Sequence, residues 1–97
     1  MSEVTVVNNP AESRFEAQLA GEVVGRIEYA TVGNSIDLRH TAIEPGHEGE
    51  GIGSTLVRGT LDYLQVDKPN LKVIPSCPFV KSYIDRHPDY RPLLDPR

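Results

Sequence analysis

Ala42-Ile43-Glu44-Pro45-Gly46-His47-Glu48-Gly49-Glu50-Gly51-Ile52-Gly53-Ser54 is the stretch on which the reading of this chain turns. Before it, Ser35 to Ile43 reads as a strand. After it, Ile52, Leu56, Val57, Thr60, Leu61 and Leu64 recur at helical spacing, which predicts a helix from about Ile52 to Gln65 with one apolar stripe. The order is strand, glycine-rich loop, helix. The first turn of a helix carries backbone N–H groups with no partner inside the helix. No Ser, Thr, Asp or Asn stands directly before Ile52 to cap them; Gly49, Gly51 and Gly53 surround that position instead. Open donors, the positive end of a helix dipole and no side-chain bulk make an anion site, above all for phosphate. The plainer alternative is that these glycines only serve a turn.

Working outward, Val4 to Asn8 is a short β-rich run, and Asn8-Asn9-Pro10 marks a turn. From Ser13 to Leu19 the pattern alternates, with Phe15, Ala17 and Leu19 on one face and Arg14, Glu16 and Gln18 on the other. Val23 to Thr31 alternates again, with Val23, Gly25, Ile27 and Tyr29 on one face. Ile36, Leu38, His40 and Ala42 alternate with Asp37, Arg39 and Thr41. Short turns at Ala20-Gly21-Glu22 and Gly33-Asn34 join these runs, which implies an antiparallel meander. Beyond the loop helix, Pro69 forbids much continuation. Leu71 to Ile74 follows a helical crossover and is expected to run parallel to the strand ending near Ile43. A second helix is expected from Pro78 to about Arg86, with Phe79, Val80, Tyr83 and Ile84 as its apolar stripe. The tail Tyr90 to Leu94 is placed back against the sheet. The fold class is therefore α+β, a mostly antiparallel sheet with a central crossover helix and a second short helix.

The chain has 97 residues, room for one domain spanning residues 1–97. With 38% hydrophobic and 25% charged residues it reads as soluble and globular. No apolar run approaches the roughly 20 residues of a membrane helix, so no membrane partner is expected. Met1-Ser2-Glu3-Val4-Thr5 lacks the basic head and apolar run of a secretory signal. The single cysteine, Cys77, excludes an internal disulfide, which fits a reducing, cytoplasmic setting. A net charge of −4 makes nucleic acid a poor default partner. Residues 1–50 hold three basic and nine acidic side chains, and residues 51–97, with the helix, seven basic and five acidic. Such a division suits an anionic ligand at the loop and a cationic substrate elsewhere.

Two phosphate motifs are excluded. A P-loop requires a Lys after its glycines, and none follows here. A dinucleotide fingerprint requires a third glycine one residue later than Gly53, and a doubly wound sheet. Ile43-Glu44-Pro45-Gly46-His47-Glu48-Gly49-Glu50-Gly51-Ile52-Gly53-Ser54 instead resembles the acetyl-CoA signature of the GNAT superfamily of N-acetyltransferases. That signature runs Val-x-Pro, then Arg or Gln, two residues, Gly, one residue, Gly or Ala. Glu48 departs from it, standing where the family carries Arg or Gln. Short stand-alone members also share a His-Thr pair before the loop, here His40-Thr41. They share a Cys-Pro-Phe-Val-x-x-Tyr-Ile-x-x-His-Pro block too, here Cys77 to Pro88.

The resemblance implies a truncated GNAT-like fold with acetyl-CoA as cosubstrate. It places the pyrophosphate on backbone N–H groups of Glu48, Gly49, Gly51, Ile52, Gly53 and Ser54. It places the pantetheine arm against strand backbone near Ile43 and Glu44, in a gap between that strand and the next. It also suggests Tyr83, on the second helix, as the group that protonates the leaving thiolate, although Tyr83 fits the apolar stripe equally well. Two further candidates come from the residues themselves. Cys77 directly precedes Pro78, a favoured first helical residue, so its thiol stands near a helix start that favours thiolate. It is a candidate acyl-accepting nucleophile or a small packing residue. His40 falls on the face of Ile36 and Leu38, either as a base or as a hydrogen-bonded core residue. His47 and His87 read as solvated, and the scattered histidines have no metal-ligand spacing, so no metal is expected.

Three functions stay open at this point: an acetyltransferase acting on an amine, a CoA-binding regulatory module without turnover, and a small domain whose glycines only turn the chain. The acceptor amine is not legible. The chain is expected to be a monomer or a weak homodimer, paired through the strand edge at Val4–Asn8.

Overall fold

The computed structural model describes residues 4–49 and 51–96. Met1 to Glu3, on which much of the leader reading rests, lie outside the described residues. Strands β1 (Val4–Asn9), β2 (Arg14–Leu19), β3 (Glu22–Val32) and β4 (Ser35–Ile43) form the antiparallel meander that the alternation predicts. Helix α1 (Ile52–Asp67) crosses over to β5 (Lys72–Ile74), which runs parallel to β4 at its Ser35–Asp37 end. The sheet order is β1-β2-β3-β4-β5. Helix α2 (Pro78–Arg86) follows, then a 3-10 turn at Pro88–Leu93. The tail returns to the sheet, where Leu94 bridges Val73 in parallel.

Each helix starts and stops for a local reason. The N–H of Lys68 closes α1 on the Leu64 carbonyl at 3.1 Å, and Pro69 blocks another turn. Pro78 occupies the start of α2, where its missing donor costs nothing, and Pro88 forbids helix at His87. Helix α1 lies across β1, β2, β3 and β4, and all six residues of its expected stripe are buried. They meet Phe15, Ala17, Ile27, Ile36 and Leu38 from the sheet, and Val80, Tyr83 and Ile84 from α2, in one core. Burying each large side chain contributes roughly 1.5–3 kcal/mol.

Two register shifts break the strict alternation read from the sequence. Ala17 pairs with Gly25 but Gln18 pairs with Val23, so Val24 is the extra residue in β3. Val24 is therefore buried and Val23, expected inside, is 38% exposed. In β4, Tyr29 pairs with Leu38 while Glu28 pairs with His40, leaving Arg39 unopposed. This bulge moves the rest of β4 by one residue, because side chains alternate with period two. His40, expected beside Ile36 and Leu38, is exposed and sits opposite Glu28 instead.

The face away from the helices is polar. There Glu16 is 5% exposed and accepts hydrogen bonds from Asn9 Nδ2 at 2.9 Å, Arg14 Nε at 2.8 Å and Gln18 Nε2 at 3.3 Å. Asn9 and then Arg14 hold its carboxyl below the usual carboxylate range, against the opposing effect of burial.

Candidate functional site

Ile43 ends β4 and the chain leaves the sheet over Glu44 to Gly51. Glu44 N–H is tied to the Val24 carbonyl at 2.8 Å and His47 N–H to the Glu44 carbonyl at 3.1 Å. Gly46, Gly49 and Gly51 all have positive φ. Gly51 is the N-cap of α1 at φ 77°, a left-handed conformation that other residues rarely adopt, and no side chain caps the helix. The first amide bonded back to the loop is Thr55, donating to the Gly51 carbonyl at 3.1 Å. Among the described residues, the amides of Gly51, Ile52, Gly53 and Ser54 meet no described protein acceptor. The Glu48 carboxylate, by contrast, is bound to the loop itself, accepting from Gly46 N–H at 3.0 Å.

These amides border a cavity of about 280 Å³. His47, Glu48 and Gly49 form one side of it, and Gly51 to Ser54 the helix end. Ile43 and Phe79 form the remainder. Phe79 counts toward the apolar stripe in sequence, yet it is 39% exposed and lies over Gly53 rather than in the core. A Cβ added at Gly53 would stand 2.9 Å from Phe79 Cζ. A side chain at Gly53 would push aside the Phe79 ring, which roofs the start of α1.

Next to this cavity, β4 lacks a neighbour. β5 pairs only with Ser35, Ile36 and Asp37, and Pro75-Ser76 then turns the chain away. Cys77 N–H makes one more bond, to the Leu38 carbonyl at 2.9 Å. Beyond Leu38, no described strand covers that edge of β4. The two strands thus part toward the glycine loop.

Cys77 stands where they part. It is the N-cap of α2, is 5% exposed, and its Sγ lies 3.3 Å from Thr41 Oγ1. Burial pushes the thiol up, but the Thr41 hydroxyl and the amides of Val80 and Phe79 together outweigh it, so the net shift is downward. No cap bond of full geometry forms; the two amides act as nearby dipoles at the helix start. Thr41 faces Cys77 because of the Arg39 bulge, which puts Thr41 where unbroken alternation would have put His40. Thr41 and Phe79 are the site residues that reading the sequence missed. Their signals were the His40-Thr41 pair and the Cys77 block, in which attention fell on the more reactive neighbour.

The other two candidates are elsewhere. His40 is on the polar face with Glu28. Tyr83 is buried, stacked on His87 with ring centroids 4.0 Å apart, in a cavity between α1 and α2 that neither Cys77 nor the loop borders. Among the described residues, no group of three or more His, Cys, Asp or Glu side chains could hold a metal, and no helix is long and apolar enough to cross a membrane.

Comparison with known proteins returns the same architecture. A protein of Staphylococcus aureus described as GCN5-like, solved by NMR, superposes with a TM-score of 0.68 at 25% identity. The match covers 98% of this chain and 91% of that one. No curated protein matches significantly. A family model described as GCN5-related N-acetyl-transferase matches residues 14–93, which takes in strands β2 to β5, the glycine loop, the Cys77 block and both helices. This chain belongs to the GCN5-related N-acetyltransferase family.

Proposed function

We propose that the protein binds acetyl-CoA and transfers its acetyl group to an amine, with Cys77 as the intermediate acyl carrier. The observation that carries this reading is a juxtaposition. Amides with no described protein acceptor at the start of α1 border the loop cavity together with Ile43, no described strand covers the β4 edge beyond Leu38, and Thr41, on the same strand as Ile43, stands 3.3 Å from Cys77 Sγ. The pyrophosphate sits on the amides of Glu48, Gly49, Gly51, Ile52, Gly53 and Ser54, at the positive end of α1. The amide-bearing pantetheine arm lies along β4 at Ile43 and Glu44 as an added strand would, exchanging hydrogen bonds with the free edge. Ile43 and Phe79 give the arm an apolar wall.

That path brings the thioester to Cys77. The Cys77 thiolate adds to the thioester carbonyl, and the CoA sulfur leaves with the bonding pair and takes a proton from solvent. The acetyl group is then a thioester on Sγ. A neutral amine attacks that carbonyl, Sγ leaves as thiolate, and the nitrogen loses its extra proton to water. The Thr41 hydroxyl donates to Sγ whenever the sulfur is anionic, so it favours the leaving state in the second step. His40 and Tyr83 take no direct part: His40 is on the polar face opposite Glu28, and Tyr83 is stacked on His87 in the separate cavity between α1 and α2.

Intact-mass measurement after mixing with acetyl-CoA tests the carrier step. The expected result is a gain of about 42 Da, one acetyl group, that disappears in Cys77→Ala. A wild-type chain that releases CoA to an amine without ever carrying that mass, with Cys77→Ala equally active, would leave direct transfer as the mechanism.

A further inference from the structure

At the other end of α1 lies a further cavity, of about 340 Å³. Three aromatic rings line it: Phe15, Tyr29 and Tyr63. The Phe15 centroid is 5.2 Å from that of Tyr29 and 5.6 Å from that of Tyr63, in tilted and edge-on arrangements. Ile36, Leu64 and Leu71 complete the apolar wall. Protein interiors leave few voids larger than a water molecule, whereas small-molecule pockets start at about 300 Å³. This half-open space, walled by rings, is large enough for a small aromatic ligand.

Its polar groups select the occupant. The Tyr29 hydroxyl donates to Asn8 Oδ1 at 2.8 Å, which leaves the Asn8 Nδ2 hydrogens free to donate. Lys68 stands on the rim, exposed and without an ion pair among the described residues. Among the described residues, no carboxylate lines the cavity. Two carbonyls at this helix end accept hydrogen bonds, Leu64 from Lys68 N–H at 3.1 Å and Lys68 from Leu71 N–H at 3.0 Å. The negative end of the α1 dipole opposes an anion there, and the Lys68 ammonium offsets it. An aromatic ring gains from edge and face contacts with the half-buried rings of Tyr29 and Tyr63, which Phe15 backs from the core. A carboxylate on it gains charge-assisted hydrogen bonds from Lys68 Nζ and Asn8 Nδ2.

We propose that this cavity is a binding site for a small aromatic carboxylate. It is not the acetyl-acceptor site. Lys68 stands fifteen residues past Gly53, about 22 Å along the helix. None of the lining residues belongs to the glycine loop or to the Cys77–Thr41 pair. The proposal does not depend on CoA binding.

A titration of the full chain with sodium phenylacetate, followed by amide NMR shifts, tests it. Saturable shifts are expected at Asn8, Phe15, Tyr29, Tyr63 and Lys68, with a Kd of about 1 mM or tighter. Gly46 to Ser54 should not move. Phenylacetamide, with the same ring and no charge, should bind about fivefold more weakly, and Lys68→Met should erase that preference. Tyr63→Ala should remove binding; Lys68→Met, at an exposed position, serves where that variant does not fold. Absence of saturation, shifts centred outside the cavity, or equal affinity for acid and amide would each overturn the proposal.

Discussion

Cys77 owes its chemistry to what surrounds one sulfur atom. Desolvation by itself would keep the thiol protonated, and the Thr41 hydroxyl with the start of α2 reverses the balance. A lowered pKa means that thiolate persists to lower pH than in a free cysteine, whose ordinary value here is 9.0. Alkylation of Cys77 by iodoacetamide should therefore rise with pH along a titration curve centred below that value. In Thr41→Val the hydroxyl donor is gone while the shape is nearly kept. The curve should move to higher pH, toward or past the ordinary value, because the opposing effect of burial remains. Coincident profiles for the two proteins would show that Thr41 does not tune the sulfur. The residue type and position of Cys77 were readable from its place before Pro78. The identity of its partner was not, because the sequence carries no mark of the bulge at Arg39 that brings Thr41 round.

At the scale of elements, most of the structure was legible. Helix α2 and strand β4 fall where periodicity and proline placed them, and α1 runs only a little past Gln65. Side-chain period and local breakers are properties of the chain itself, so they survive folding. The two bulges depend on how strands pair, which one strand's pattern cannot reveal. They account for Val23, Val24 and His40. Phe79 is the tertiary counterpart: helical spacing assigned it to the core, and packing placed it over the start of α1. Gly53→Val tests that contact. A branched side chain there forces the Phe79 ring away and fills the space above the helix amides. Acetyl-CoA affinity should fall at least tenfold, about 1.4 kcal/mol, while circular dichroism keeps the wild-type shape. Undiminished affinity in a folded Gly53→Val would show that the ligand does not use the helix amides beside Phe79.

Across the whole molecule, the helices share one face of the sheet and the other is polar, with the Glu16 network at its centre. A domain of this size buries a single core, and each end of α1 borders a cavity. One end offers open amides beside a parted pair of strands; the other offers an aromatic cavity. Family membership was legible from the loop and the Cys77 block together, because their spacing is set by the crossover that joins β4 to α2. The acceptor amine was not, since no single stretch of sequence encodes its pocket. Calorimetric titration of acetyl-CoA into the wild type and into Gly51→Val tests the central claim, that bare amides at the start of α1 grip a diphosphate. Saturable heat with micromolar affinity is expected for the wild type, and at least tenfold weaker binding for a Gly51→Val chain shown to be folded. No heat from the wild type at high micromolar acetyl-CoA, or equal affinity in the two, would contradict it.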